Sequence, residues 1–249
     1  MTELDTDPWV RRFHRGPDGA PRLVCFPFAG GAANYFYRLS AALCPDVEVL
    51  AVQYPGRQDR LNEPLVDDVA VLADRIADGL LRWADRPTAF FGHSMGAVVA
   101  YEVARRWEGN GITLRHLHPS GRRAPSRTRD TAVHLRDDDG IRAEVAELGG
   151  PAVELLTHPE LGPLLLPPIR NDYKAIETYR HPPGPPLTCP VTAIIGDTDP
   201  HVTRDEARAW AEHTSGPFEL RVFSGGHFYL TDHQRQVAGI VRRSLTVRR

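Results

Sequence analysis

Short runs of β-branched and aromatic residues alternate along the chain with longer stretches of helical period. The runs at 9–14, 22–28, 47–53, 88–93, 113–119, 191–197 and 218–223 read as strands. Helical periodicity covers 35–43, 67–83, 95–107, 203–213 and 231–245, each between two strands or after the last one. Parallel neighbours need a crossover, and a helix is the usual one, so this alternation predicts an α/β fold. It should hold a mostly parallel sheet of about seven strands flanked by helices. Within 67–83 the apolar positions Val69, Leu72, Ile76, Leu80 and Trp83 recur in steps of three and four, which makes one buried stripe; Asp74, Arg75 and Asp78 face water.

The rhythm breaks between Arg122 and Pro190, where about 70 residues stand in place of a plain crossover. The first part, 124–139, is polar. Segments 140–148, 151–157 and 163–179 read as amphipathic helices, divided by Gly149-Gly150 and by Pro167-Pro168. The stiff stretch from His181 to Pro186 leads back into the sheet. The expectation is one domain, residues 1–249, with a helical lid inserted at approximately 123–187.

Composition narrows the function classes. Hydrophobic residues make up 41% and charged residues 25%, as in ordinary globular proteins. Thirty basic against 32 acidic residues give a net charge of −2, which offers no footprint for nucleic acid or an anionic membrane, so neither partner is expected. Cys25, Cys44 and Cys189 are odd in number and form no C-x-x-C, which argues against a disulfide framework and a zinc site and for a reducing compartment. The N-terminus lacks a signal pattern and no apolar run reaches the roughly 18 residues of a membrane span, so a cytoplasmic protein is expected. With no long apolar helix face left over, it should be a monomer.

The chemistry concentrates at strand ends. Gly92-His93-Ser94-Met95-Gly96 matches G-x-S-x-G between a strand and a helix, the context of a nucleophile elbow. Small residues at 92 and 96 would allow a strained serine to project into a cleft beside a helix N-terminus; the bland alternative is a glycine-flanked turn with an N-cap serine. A serine nucleophile needs an imidazole to take its proton and a carboxylate to orient that imidazole, in the chain order Ser, Asp or Glu, His. Asp197 and Asp199 follow one strand, and His227 sits on a glycine loop after the next. Asp199 is favoured as the orienting carboxylate, with Asp197 capping the turn. His227 is favoured over His201, which follows the aspartate too closely. Phe28-Ala29-Gly30-Gly31 after an early strand can supply an oxyanion donor, so the N–H groups of Ala29 and Met95 are the candidate hole. His93 supports the elbow or lines the cleft. His116 and His118 share a strand face but have no third ligand nearby. No metal or cofactor is expected.

Taken together, Phe26-Pro27-Phe28-Ala29-Gly30-Gly31, Tyr54-Pro55-Gly56-Arg57, Gly92 to Ala97, Ser120-Gly121-Arg122-Arg123-Ala124-Pro125, Gly196-Asp197-Thr198-Asp199-Pro200 and Gly225-Gly226-His227-Phe228 resemble the type II thioesterases, stand-alone editing hydrolases of the α/β-hydrolase superfamily. Leu164 to Tyr173 is similar to the lid-helix pattern of that family. The resemblance implies hydrolysis of stalled or wrongly primed acyl thioesters from the phosphopantetheine arm of an acyl or peptidyl carrier protein. It places Ser94, Asp199 and His227 on the catalytic triad, and Ala29 and Met95 on the oxyanion donors. Phe28 stands where the family usually has His, which alters the expected acyl pocket. Phe28, Arg57, His93 and Phe228 are the candidate substrate contacts. Arg57 would meet the arm's phosphate, or else brace its turn or pair with Asp59. Leu155, Leu156, Leu164, Leu165 and Ile169 would pack the lid and form a slot for short acyl chains.

Overall fold

The computed structural model describes residues 7–150 and 153–246. Seven strands form one sheet: β1 (Val10–Arg11), β2 (Arg22–Phe26), β3 (Glu48–Val52), β4 (Thr88–His93), β5 (His116–Ser120), β6 (Val191–Gly196) and β7 (Phe218–Phe223). Their order is β1-β3-β2-β4-β5-β6-β7, parallel throughout except for β1, which pairs antiparallel with β3. The run at 9–14 contributes only two paired residues to this edge. Pro119 lies inside β5, where it pairs with Gly92; it lacks the N–H that would continue the ladder toward β6, where pairing is interrupted between Leu117–Val191 and Ser120–Ile194 while the register is kept.

The helices α1 (Tyr37–Leu43), α2 (Val69–Leu80), α3 (Met95–Gly109), α7 (Arg204–Arg208) and α8 (Leu230–Thr246) fall close to the predicted spans. Residues of α1 and α8 join one buried cluster with Leu23, Val49 and Phe91, and residues of α2 and α3 join another with Val24, Leu50 and Phe90. Adjacent strand residues point to opposite faces, so β2, β3, β4 and β6 each feed both clusters. Val69, Leu72, Ile76, Leu80 and Trp83 are all buried in the second cluster. This is the α/β-hydrolase fold.

Between β5 and β6 the chain forms α4 (Asp138–Leu148), α5 (Val153–Leu156) and α6 (Gly162–Thr178). The start of the helix expected at 151–157 lies outside the described residues. Asp137 caps α4, accepting the Gly140 N–H at 2.8 Å, and Gly149 ends it at φ 68°. Pro167 and Pro168 do not divide the helices; they sit within α6. Each proline removes one hydrogen bond, and the burial of Leu166, Ile169, Tyr173 and Ile176 holds the helix together across them. Leu156 and Ile169 are buried here with Val133 and Ile141, whereas Leu155 and Leu164, expected in the same stripe, are 45% and 53% exposed and do not join it.

Candidate active site

Ser94 stands between β4 and α3 with φ 55° and ψ −119°, a conformation that costs a non-glycine residue on the order of 1–3 kcal/mol. The surroundings enforce it. Ser94 N–H donates to the Ser120 carbonyl at 2.8 Å. A Cβ on Gly92 would lie 2.1 Å from the Gly96 carbonyl oxygen, and one on Gly96 would lie 2.1 Å from that of Phe26, so only glycine lets β2, β4 and α3 meet this closely.

His227 arrives from the loop after β7. A Cβ on Gly196 would come within 2.3 Å of the Gly225 and Gly226 carbonyl oxygens, so this loop lies directly on the end of β6. His227 Nδ1 is 2.8 Å from Asp199 Oδ2, and both side chains are almost wholly buried. The other carboxylate oxygen accepts the His201 N–H at 2.8 Å, which fixes the plane of the carboxylate. Asp197 instead accepts the Gly225 N–H at 2.9 Å. The His201 ring nitrogen is 3.2 Å from Glu144 on α4.

Ser94 and His227 line one cavity with Phe28, Ala29, Ile169 and Tyr173. Its free volume is about 30 Å³, room for about one water. Met95 opens α3, where the first N–H groups of a helix have no intrahelical acceptor. Phe28 meets Phe228 edge-on at 4.9 Å and Tyr35 at 5.0 Å, and Phe228 lines the cavity as well. His93 lies beneath, its ring 5.0 Å from that of His227 and its Nδ1 2.9 Å from Ser120 Oγ, which is 2.6 Å from the Tyr229 hydroxyl. Burial, and then the proximity of His227, hold His93 well below the ordinary histidine range, so it is a neutral support for the ring above it. His116 and His118 stack at 4.3 Å and bond to Thr192 and Ser244.

Arg57 braces its own turn, as one expectation had it, with Nε donating to the Pro55 carbonyl at 3.4 Å, but its carboxylate partner is not the expected one. Asp59 pairs with Arg11 instead. The Arg57 guanidinium is bidentate on Asp172 of α6 at 2.6 and 3.0 Å, and it also donates to the Gly31 carbonyl at 3.1 Å. Its side chain is 7% exposed, so the terminal nitrogens are engaged within the protein and offer no open face to a phosphate. Asp172 Oδ2 also accepts the Gly30 N–H at 2.8 Å, which ties α6 to the loop that carries Ala29. A Cβ on Gly30 would lie 2.3 Å from Ile169 of the same helix. Sequence reasoning assigned no role to Asp172, Tyr173, Val145 or Leu148, the last three of which line the cavity. An aspartate in an otherwise apolar helix face was the available signal.

A family model described as a thioesterase domain matches residues 21–245. Thioesterase PikA5 of Streptomyces venezuelae is 48% identical over 248 residues, covering 99% of this chain and 88% of that protein. The probable cadicidin biosynthesis thioesterase of Streptomyces griseus is 52% identical over 225 residues, 90% of this chain, and the match spans 62% of that relative's length. Among solved structures, the type II thioesterase BorB from the borrelidin biosynthetic cluster superposes with a TM-score of 0.91 at 49% identity, covering 96% of this chain and 98% of that one. The chain belongs to the thioesterase family, and within it to the type II thioesterases. It is a hydrolase that acts on thioesters.

Proposed function

We propose that the protein clears aberrant or stalled acyl groups from the phosphopantetheine arms of acyl or peptidyl carrier proteins in polyketide or nonribosomal peptide synthesis, through an acyl-enzyme on Ser94. In this reading Ser94 Oγ attacks the thioester carbonyl while His227 takes its proton, and Asp199 holds the imidazole and stabilises its cationic form. The oxyanion accepts the N–H groups of Ala29 and Met95. The C–S bond then breaks, and His227 returns the proton to the departing thiol. Water attacks the Ser94 ester, giving its proton to His227, which restores it to Ser94 as the free acid leaves.

The observation that carries this reading is the buried contact of 2.8 Å between His227 and Asp199 beside a cavity that His227 shares with the strained Ser94. Single-domain organisation, with residues 123–187 acting as a lid, belongs to the same proposal. A space of about 30 Å³ is narrow for an acyl thioester, and in this reading α4 and α6 shift to admit one.

The test is hydrolysis of acetyl, propionyl and longer acyl groups from a carrier protein, compared with the matching small thioesters and oxygen esters, for wild type and Ser94→Ala. Fastest release of short carrier-bound acyl groups, lost in Ser94→Ala, is expected. Preference for free oxygen esters, or activity that survives the substitution, would sink the reading.

A further inference from the structure

A second cavity of about 230 Å³ lies beside the Ser94 cavity and shares Tyr173 with it. Arg122 and Arg123, from the segment after β5, form part of its wall, with Pro200 and His201 following Asp199 on another side. The backbone just before Arg122 is at the imidazoles: a Cβ on Gly121 would lie 2.8 Å from His93 Cε1 and 3.4 Å from His227 Cε1. A ligand in this cavity is therefore within reach of a group bound at Ser94.

The other charged groups around the cavity are paired or exposed. Glu144 pairs with Arg136 at 2.9 Å and with His201 at 3.2 Å. Glu177 accepts the Val133 and His134 N–H groups at 2.9 and 3.1 Å and lies 2.6 Å from the His134 ring nitrogen. Arg129 is bidentate on Glu206 at 2.9 and 2.6 Å. Glu147 is exposed.

Among the described residues neither Arg122 nor Arg123 touches a carboxylate, although Glu177 lies near enough to favour both cations and Glu206 favours Arg123. The Arg122 Nε is buried and finds no protein acceptor. Arg123 donates only to carbonyl oxygens, those of Arg127 at 3.1 Å and His201 at 3.5 Å. Burial, and then the neighbouring Arg123, push Arg122 down to about 9; burial and Arg129 lower Arg123 as well. Both remain cations at neutral pH, in surroundings that disfavour a cation. An oxyanion would relieve both, since two guanidinium groups present paired donors that match a carboxylate or phosphate.

We propose that Arg122 and Arg123 form a subsite for an oxyanion carried by the thioester substrate itself, either the phosphate of the carrier's arm or a carboxylate on the acyl group. The proposal rests on the thioesterase reading of Ser94 given above. It also moves the anion-binding role away from Arg57, whose guanidinium is held by Asp172.

Two pairs of probes separate the sources. Propionyl-phosphopantetheine and propionyl-pantetheine differ only in the phosphate; succinyl-pantetheine and butyryl-pantetheine differ in a terminal carboxylate. The wild type should hydrolyse the anionic member of one pair with kcat/KM about tenfold higher than its neutral partner, mainly through KM. Arg122→Gln combined with Arg123→Gln should bring that ratio close to one. Calorimetric titration of Ser94→Ala with the same four compounds should give the same order of Kd without turnover. Ratios near one in both pairs, with Ser94→Ala binding both members alike, would overturn the subsite. A preference that survives the double substitution in a variant that unfolds like the wild type would do the same. If the wild type hydrolyses neither these four nor the matching carrier-bound thioesters while Ser94→Ala still favours an anionic member, the subsite stands and the catalytic reading fails.

Discussion

Arg57 and Asp172, 115 positions apart, form a bidentate ion pair that fastens α6 to the loop bearing Ala29. The helix that covers the cleft and the loop that would hold the oxyanion are thus connected through one carboxylate. Movement of α6 away from the cleft would have to break or carry this pair, so opening and the shape of the oxyanion loop are coupled.

Removing one partner leaves a buried, uncompensated charge. Asp172→Ala should lower stability by about 3–5 kcal/mol in urea unfolding, since Arg57 would be stranded and the Gly30 N–H would lose its acceptor. Arg57→Met combined with Asp172→Leu should recover most of that loss, because no charge is then buried alone. A single variant as stable as the wild type would show that the pair is dispensable.

Gly96→Ala forces a methyl group against the Phe26 carbonyl at 2.1 Å, a backbone contact with no side chain free to move aside. A loss of about 3 kcal/mol or more is expected, with disturbed elbow geometry and loss of activity. Gly109, at the end of α3, has nothing within 4 Å of the equivalent position. Gly109→Ala should instead stabilise by about 0.5 kcal/mol. Thermal melts of the two variants check both signs.

Burial, with His116 adding, holds His118 well below its ordinary value of 6.5, and burial also lowers His93. Above that pH neither the folded nor the unfolded state binds these protons, so stability there is indifferent to them. Below it the unfolded chain takes up protons that the folded chain refuses, and stability falls as pH falls. Each such histidine contributes up to about 1.4 kcal/mol per pH unit. Urea unfolding between pH 7.5 and 5 should show this decline, and His118→Gln, which cannot titrate, should flatten the slope by about one proton. An unchanged slope would mean that His118 is protonated in the fold.

Phe28 and Phe228 pack edge to face at one side of the cavity. Phe28→Ala should extend the space beside Ser94 and raise kcat/KM for longer acyl thioesters relative to acetyl by about tenfold. A series of acyl lengths on one carrier protein measures the ratio; an unchanged profile would place chain-length selection elsewhere, on α4 and α6.

The strands and the major helices were legible because a buried parallel sheet requires apolar runs and its crossovers require amphipathic stripes. The stripe from Val69 to Trp83 is buried as its spacing indicates. The helical region between β5 and β6 was harder to read. Pro167 and Pro168 suggested a break, but tertiary burial of Leu166 and Ile169 overrides a local preference that assumes an isolated helix.

Chain order and glycine spacing alone determined where Ser94, Asp199 and His227 fall, because elbow and loop conformations need particular residues at particular local positions. Their proximity is tertiary: the 2.8 Å between His227 and Asp199 arises from two adjacent strand ends. The partner of Arg57 was likewise decided only by the fold. Any of several nearby or distant carboxylates could satisfy a guanidinium, and nothing local in a sequence selects among them. Docking of α6 selects Asp172 for Arg57, and it leaves Arg122 and Arg123 beside the cleft without a carboxylate contact among the described residues.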